Sequence, residues 1–204
     1  PFGLAVSIYM AEVAHFKVRK ALKPIIELLN GIPSVVYGFF GLTIIVPFLQ
    51  NTFNLPVGES GLAGSIVLAI MALPTIITVE DAMRSCPRSM REASLALGAT
   101  QWQTIYKVVI PFSMSGITSG VVLGIGRAIG ETMAVLMVTG NAAVMPTSIL
   151  EPLRTIPATI AAELGEAGGA HYQALFLLGV ILFFITLIIN SCVEIVSARN
   201  KLKK

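Results

Sequence analysis

Residues 112–139 read FSMSGITSGVVLGIGRAIGETMAVLMVT, a run with only two charges, Arg127 and Glu131. A bilayer core takes roughly 17 to 25 predominantly apolar residues in a helix, so this stretch is long enough to cross one. Runs of the same kind lie at 33–49, 62–82 and 172–197. A fifth segment, 2–14, is apolar but short, and reads as the second half of a cut helix. It lacks the basic n-region and small-residue cleavage site of a signal peptide. The chain opens on Pro1, so a fragment is expected. Composition agrees with a membrane protein: 55% hydrophobic, 12% charged and mean hydropathy +0.83, against about 25% charged in a soluble domain. The expected fold is all-α, a polytopic transmembrane helical bundle forming one domain over 1–204.

Working outward from 112–139, the basic residues set the orientation. Lys17, Arg19, Lys20 and Lys23 form one cluster, Arg84, Arg88, Arg91 and Lys107 a second, and Arg199, Lys201, Lys203 and Lys204 a third. They fall on alternate connections. The intervening connections, 50–61 and 140–171, hold Arg154 against Glu59, Glu151, Glu163 and Glu166. The rule therefore puts the C-terminus in the cytoplasm and the connection at 140–171 outside. That outer connection is long for a turn, and loops of such length usually have a function. Its stretch TIAAELGEA can form one short helix before Gly168-Gly169. Between Pro24 and Pro33, IIELLNGI predicts a short interfacial helix broken at Asn30-Gly31.

Within 112–139, Gly116, Gly120 and Gly124 recur every fourth residue, and at about 100° per residue they share a stripe with Arg127 and Glu131. Two charges four apart on a helix can pair. Each costs roughly 2.5–3.5 kcal/mol at the centre of a span. Two readings fit the stripe: close helix packing through small residues with the ion pair as buried glue, or a translocation path in which bare backbone and one cation face a central pore. The second is the expected one, with Gly116, Gly120, Gly124, Arg127 and Glu131 as substrate-path residues.

Covalent chemistry is excluded on composition and spacing. No GxxxxGK[ST] phosphate-binding loop occurs, and no zinc spacing. The two histidines, His15 and His171, fall on opposite sides of the predicted topology, so no nucleophile–base set assembles in one compartment. Cys86 and Cys192 are far apart and make neither a disulfide nor a metal site. The catalytic and metal-ligand sets are both expected to be empty. Glu80, Asp81 and Arg84 are expected to be solvated or paired at a span end; Tyr37 and Trp102 read as packing or interfacial anchors.

The connection at 85–111 carries the sharpest motif. From Arg91 it reads REASLALGATQWQTIYKVVIP. Pro87 can start a helix over 88–97, and Gly98 suits its left-handed cap. Glu92, Ala93 and Ser94, then Gly98, then Ile110-Pro111 match the spacing EAA-x3-G-x9-I-x-L-P, with Val108 at the first Ile and Ser94 at the second Ala. The chain here resembles the permease subunits of ATP-binding-cassette importers of the type-I (MetI-like) kind. The resemblance implies that Glu92, Ala93, Ser94, Gly98 and Pro111 couple an ATPase on a separate chain to the spans. ATP and magnesium would then belong to that partner, with no cofactor on this chain.

GRAIGETMAVLMVTGN, with KPIIELLNGIPSVVYGFFGL at 23–42, is similar to the phosphate-specific importer permeases, closest to the PstC-type subunit. This implies inorganic phosphate as substrate, moved by alternating access, with Arg127 and Glu131 serving its passage. It also implies a second, PstA-type permease subunit, an extracytoplasmic phosphate-binding protein, surrounding lipid and no nucleic acid. The location implied is the cytoplasmic membrane of a bacterium or archaeon. Arg127 can bind phosphate oxygens. Glu131 can hold Arg127 when substrate is absent and accept a hydrogen bond from a protonated phosphate, a bond that sulfate cannot offer. Rival readings are a permease for molybdate, sulfate or an amino acid, and a channel or secondary transporter.

Overall fold

The computed structural model describes the backbone of residues 1–201 and the side chains of residues 1–195. The basic cluster Arg199, Lys201, Lys203 and Lys204 lies outside the described side chains. Most of the described residues are helical, with one isolated bridge, Gly140 to Leu153. In chain order the helices are α1 (Phe2–Val13), α2 (Phe16–Asn30), α3 (Ser34–Phe53), α4 (Gly61–Arg84), α5 (Arg88–Ala96), α6 (Gln101–Ile129), α7 (Met133–Val138), α8 (Ile156–Glu163) and α9 (Ala170–Lys201). Four segments, Ser34–Phe53, Gly61–Arg84, Gln101–Ile129 and Ala170–Ile195, are long and apolar enough to cross a membrane.

Local chemistry explains where these helices begin, bend and stop. Pro33 takes an extended ψ of 141° and starts α3, while Asn54 closes it in the left-handed region at φ 50°. Pro47 lies inside α3 and cannot donate to the ladder. A wider π turn, Gly41–Ile45, precedes it. The same pairing recurs in α6, where the π turn Ile105–Val109 precedes Pro111. In α4, Pro74 leaves a gap in the ladder, which is interrupted at Thr78–Val79 before resuming over Glu80–Arg84.

Three sequence expectations change here. The span expected at 112–139 is two helices, because α6 ends at Ile129 and the chain turns through Gly130, Glu131 and Thr132 before α7. Glycines at 126 and 130 weaken the ladder there. Upstream, Pro111 does not begin a helix. A capping box at Thr100 and Gln103 does so, through the bonds Gln103 N to Thr100 Oγ1 and Thr100 N to Gln103 Oε1. The expected loop at 85–111 thus shrinks to the turn at Leu97–Thr100, and its second half belongs to α6. In the long connection, the helix starts at Ile156, capped by the Thr155 hydroxyl, rather than at Thr159.

Chain contacts define two compact units, each with its own core. One comprises Pro1–Asn30, Leu73–Ile125 and the chain from Ile189, with Ala11, Val79, Met83, Cys86, Val109 and Ile117 packed together. The other comprises Gly31–Ala72 and Gly126–Ile188, centred on Val46, Leu49, Ala63, Val67, Ala134 and Val138.

Candidate functional site

The two charges of the apolar stretch 112–139 are both half-buried. Arg127 sits in the last turn of α6. That is the end of a helix dipole where a cation is favoured. The Tyr37 hydroxyl of α3 lies in electrostatic reach of it. Glu131 stands in the break after α6, so the regular i,i+4 helical geometry expected for the pair ends before it. Its carboxylate instead accepts the backbone N–H of Ala134 at 3.1 Å and caps the start of α7. α7 is pinned in turn. A Cβ at Gly38 of α3 would lie 2.8 Å from the Ala134 Cα, so the two helices touch backbone to backbone. At the far end of α7, Asn141 Nδ2 donates to the Leu136 carbonyl at 2.6 Å. The result is a helix end, a break and a capped helix that hold Arg127, Glu131 and Tyr37 in one region. Tyr37 was read from sequence as an anchor. Its place near Arg127 follows from the packing of α3, and no local motif announces it.

The glycines of the stripe divide differently. A Cβ on Gly116 would meet the Ala82 Cβ, and one on Gly120 would meet Val79 Cγ2, both on α4. Gly124 is buried. Gly116 and Gly120 therefore let α6 approach α4 closely, a contact that the packing reading of the stripe expects.

The second candidate region is α5 and the turn after it. Gly98 adopts φ +82°, and the Gly98 and Ala99 amides return to Leu95 and Ser94 carbonyls. The left-handed cap expected at Gly98 is present. One side of α5 is tied down. Arg91 Nη1 donates to Glu12 Oε2 at 2.9 Å and Arg91 Nη2 to the Met83 carbonyl at 3.0 Å. Ser94 and Thr104 hydroxyls are 2.9 Å apart, and Gln101 Nε2 reaches the Glu12 carbonyl at 3.3 Å. The Glu12 carboxylate is 7% exposed, a buried carboxylate that sequence reading left unremarked within the short apolar segment. The other side is bare. Glu92 and Ala93 are exposed, and around them Leu95, Leu97 (89% exposed), Trp102 and Tyr106 present exposed apolar surface.

At the neighbouring end of α4, Glu80 is buried and pairs with Arg84 at 3.5 Å, while Asp81 pairs with Lys23 of α2. The hydrogen bond that the Lys23 ammonium donates to Asp81 holds it above its ordinary pKa. In the long connection, Glu163 pairs with Arg154, and its other carboxylate oxygen lies 3.2 Å from His171 Nε2. Cys86 is buried and Cys192 exposed, both free. Among the described residues no group of three His, Cys, Asp or Glu can hold a metal ion.

Comparison with known proteins gives a consistent picture. The family described as "Binding-protein-dependent transport system inner membrane component" matches residues 3–202. A "Probable ABC transporter permease protein YqgH" of Bacillus subtilis (strain 168) is 44% identical over 98% of this chain and 66% of its own length. The "Phosphate transport system permease protein PstC" of Mesorhizobium japonicum is 39% identical over 93% of this chain and 64% of its own. The chain thus spans a little under two thirds of these relatives. Among solved structures, the inward-facing MetNI methionine ABC transporter superposes with a TM-score of 0.73 at 20% identity, covering 97% of this chain and 85% of that one. A bacterial ABC transporter for the acidic polysaccharide alginate does so at 0.67 and 19%, covering 98% and 72%. These two establish the fold, the all-α permease bundle expected from the sequence.

Proposed function

The chain belongs to the family of binding-protein-dependent transport system inner membrane components, and on that premise we propose that it is the permease subunit of an ATP-binding-cassette importer for inorganic phosphate. Arg127 carries the substrate assignment. It is the one cation of the apolar stretch 112–139, half-buried beside a helix break and near the Tyr37 hydroxyl. A guanidinium keeps its charge when partly desolvated and offers paired N–H donors to phosphate oxygens. Relatives named as phosphate permeases align along 93% to 100% of the chain, which supports the same substrate.

In this reading Glu131 keeps the α6–α7 break in place and meets the acidic proton of hydrogen phosphate. The bare side of α5, with Glu92, Ala93 and Ser94 followed by Gly98, is the seat of an ATPase on another chain, which binds ATP and magnesium. Pro111, inside α6, lies on the helix that relays its movement to Arg127. A second permease subunit supplies the other half of the path, and a binding protein delivers phosphate to the connection at 140–171. The chain itself hydrolyses nothing. It lies in a cytoplasmic membrane with its C-terminus inside.

The test is ATP-dependent uptake of labelled phosphate by the complete importer in vesicles. Arg127→Leu removes charge-assisted bonds worth about 1.5–3 kcal/mol each and is expected to lower uptake at least tenfold while ATPase assembly persists. Glu131→Gln is expected to admit sulfate. Wild-type phosphate uptake by the Arg127→Leu importer would refute the assignment.

A further inference from the structure

α2 carries none of the residues assigned to the phosphate path, and none of its residues is buried. At about 100° per residue, Val18, Leu22, Ile25, Leu28 and Leu29 fill one arc, and all five are exposed, from 37% at Leu22 to 74% at Leu28. Arg19, Lys20, Lys23 and Glu27 fill the opposite arc. A helix with a bare apolar face and a basic polar face lies in the plane of a membrane surface, its apolar side at the headgroup–acyl boundary. Beside the polar arc is a cleft of about 300 Å³, lined by Phe16, Arg19, Lys20, Lys23, Glu27 and, from the end of α4, Arg84.

The charges in this cleft are unequally committed. Lys23 is paired with Asp81, and Arg84 with Glu80. Among the described residues neither Arg19 nor Lys20 has a salt-bridge partner. The Arg19 guanidinium lies over the Phe16 ring, 6.0 Å from its centroid, and within electrostatic reach of the Glu12 carboxylate, which Arg91 already pairs. Glu27 is the one carboxylate on the lining. We propose that this cleft binds the headgroup phosphate of an anionic phospholipid. Arg19 takes two phosphate oxygens through its planar fork, and Lys20 adds a point charge. The apolar arc of α2 sets the depth, since it places the cleft at the level where lipid phosphates lie. Inorganic phosphate shares the chemistry of the headgroup but makes no use of that arc, so the lipid is the ligand. The site goes beyond the transport reading and does not depend on which substrate is carried.

The experiment is native mass spectrometry of the full-length protein in its purified complex, titrated separately with phosphatidylglycerol, phosphatidylcholine and inorganic phosphate. Wild type is expected to retain phosphatidylglycerol over phosphatidylcholine. The double variant Arg19→Gln, Lys20→Gln is expected to retain it about 30-fold less, each basic residue near an anionic surface being worth about fivefold. Arg19→Lys with Lys20→Arg is expected to retain it. If the double variant fails to fold, as judged by thermal unfolding, Lys20→Gln alone is expected to cost about fivefold. Equal retention of the two lipids, undiminished retention in the Gln variants, or displacement of the lipid by millimolar inorganic phosphate would each overturn the proposal. None of these readings involves uptake, so the site and the transport assignment fail separately.

Discussion

Arg91 gives one guanidinium N–H to the Glu12 carboxylate and another to the Met83 carbonyl, and so fastens α5 to the ends of α1 and α4. Because the carboxylate is almost wholly covered, truncating its partner strands a charge in low dielectric. Breaking such a pair costs about 3–5 kcal/mol, whereas replacing both partners with apolar groups is often neutral. Arg91→Leu is therefore expected to lower the unfolding midpoint sharply in detergent, and Arg91→Leu with Glu12→Leu to restore most of it. A double variant no more stable than the single one would remove the ion pair from this role. At Glu151 the effect is smaller and pH-dependent. The Thr147 N–H and hydroxyl donate to its two carboxylate oxygens at 2.7 and 2.8 Å, which depresses its pKa. A depressed carboxylate stabilises the 147–151 turn above its unfolded pKa and loses that contribution as pH falls through the lower folded value. Pepsin cleavage between Val144 and Leu150, scaled to a control site, should rise in wild type as pH drops below about 4. In Glu151→Gln it should be high throughout.

At the scale of elements, Gly120 shows why α6 and α4 can touch. Its missing side chain leaves room for Val79 Cγ2, a contact that a methyl group would occupy. Gly120→Ala is expected to destabilise the protein by about 1–3 kcal/mol, the usual cost of overpacking, despite the better helix propensity of alanine. Gly120→Ala with Val79→Ala should regain part of that loss in the same thermal measurement. The small-residue spacing was plain in the sequence. Which helix it meets was not, because spacing names a face and only the fold names the neighbour. The division of 112–139 into α6 and α7 has a similar cause. Glu131 can extend a helix or cap one, and the contact of Ala134 with Gly38 selects the second.

For the whole molecule, Leu175 is the only buried residue among the described side chains of α9, so most of its cover comes from lipid or another subunit. The charge asymmetry of the connections predicts its direction. Single cysteines at Ser148 and at Ser89, in a background lacking Cys86 and Cys192, should react differently with a membrane-impermeant maleimide applied to intact cells. Ser148 is expected to label from outside and Ser89 only after permeabilisation; the reverse pattern would invert the topology.

The sequence by itself determined that helices cross a membrane, where most of them lie and which family they form. Run length, Lys and Arg placement and the 92–111 spacing are local properties that survive without contacts. The tertiary structure alone decided that Pro111 sits inside a helix, that Glu131 caps one, that Gly116 and Gly120 pack against α4, and that Glu12 anchors Arg91. Pro111 falls inside a helix because the Thr100–Gln103 capping box starts it upstream, and each of the others depends on a residue far away in the chain. Side-chain hydrogen bonds and close backbone approach act over a few ångströms in space, a distance that sequence separation does not encode.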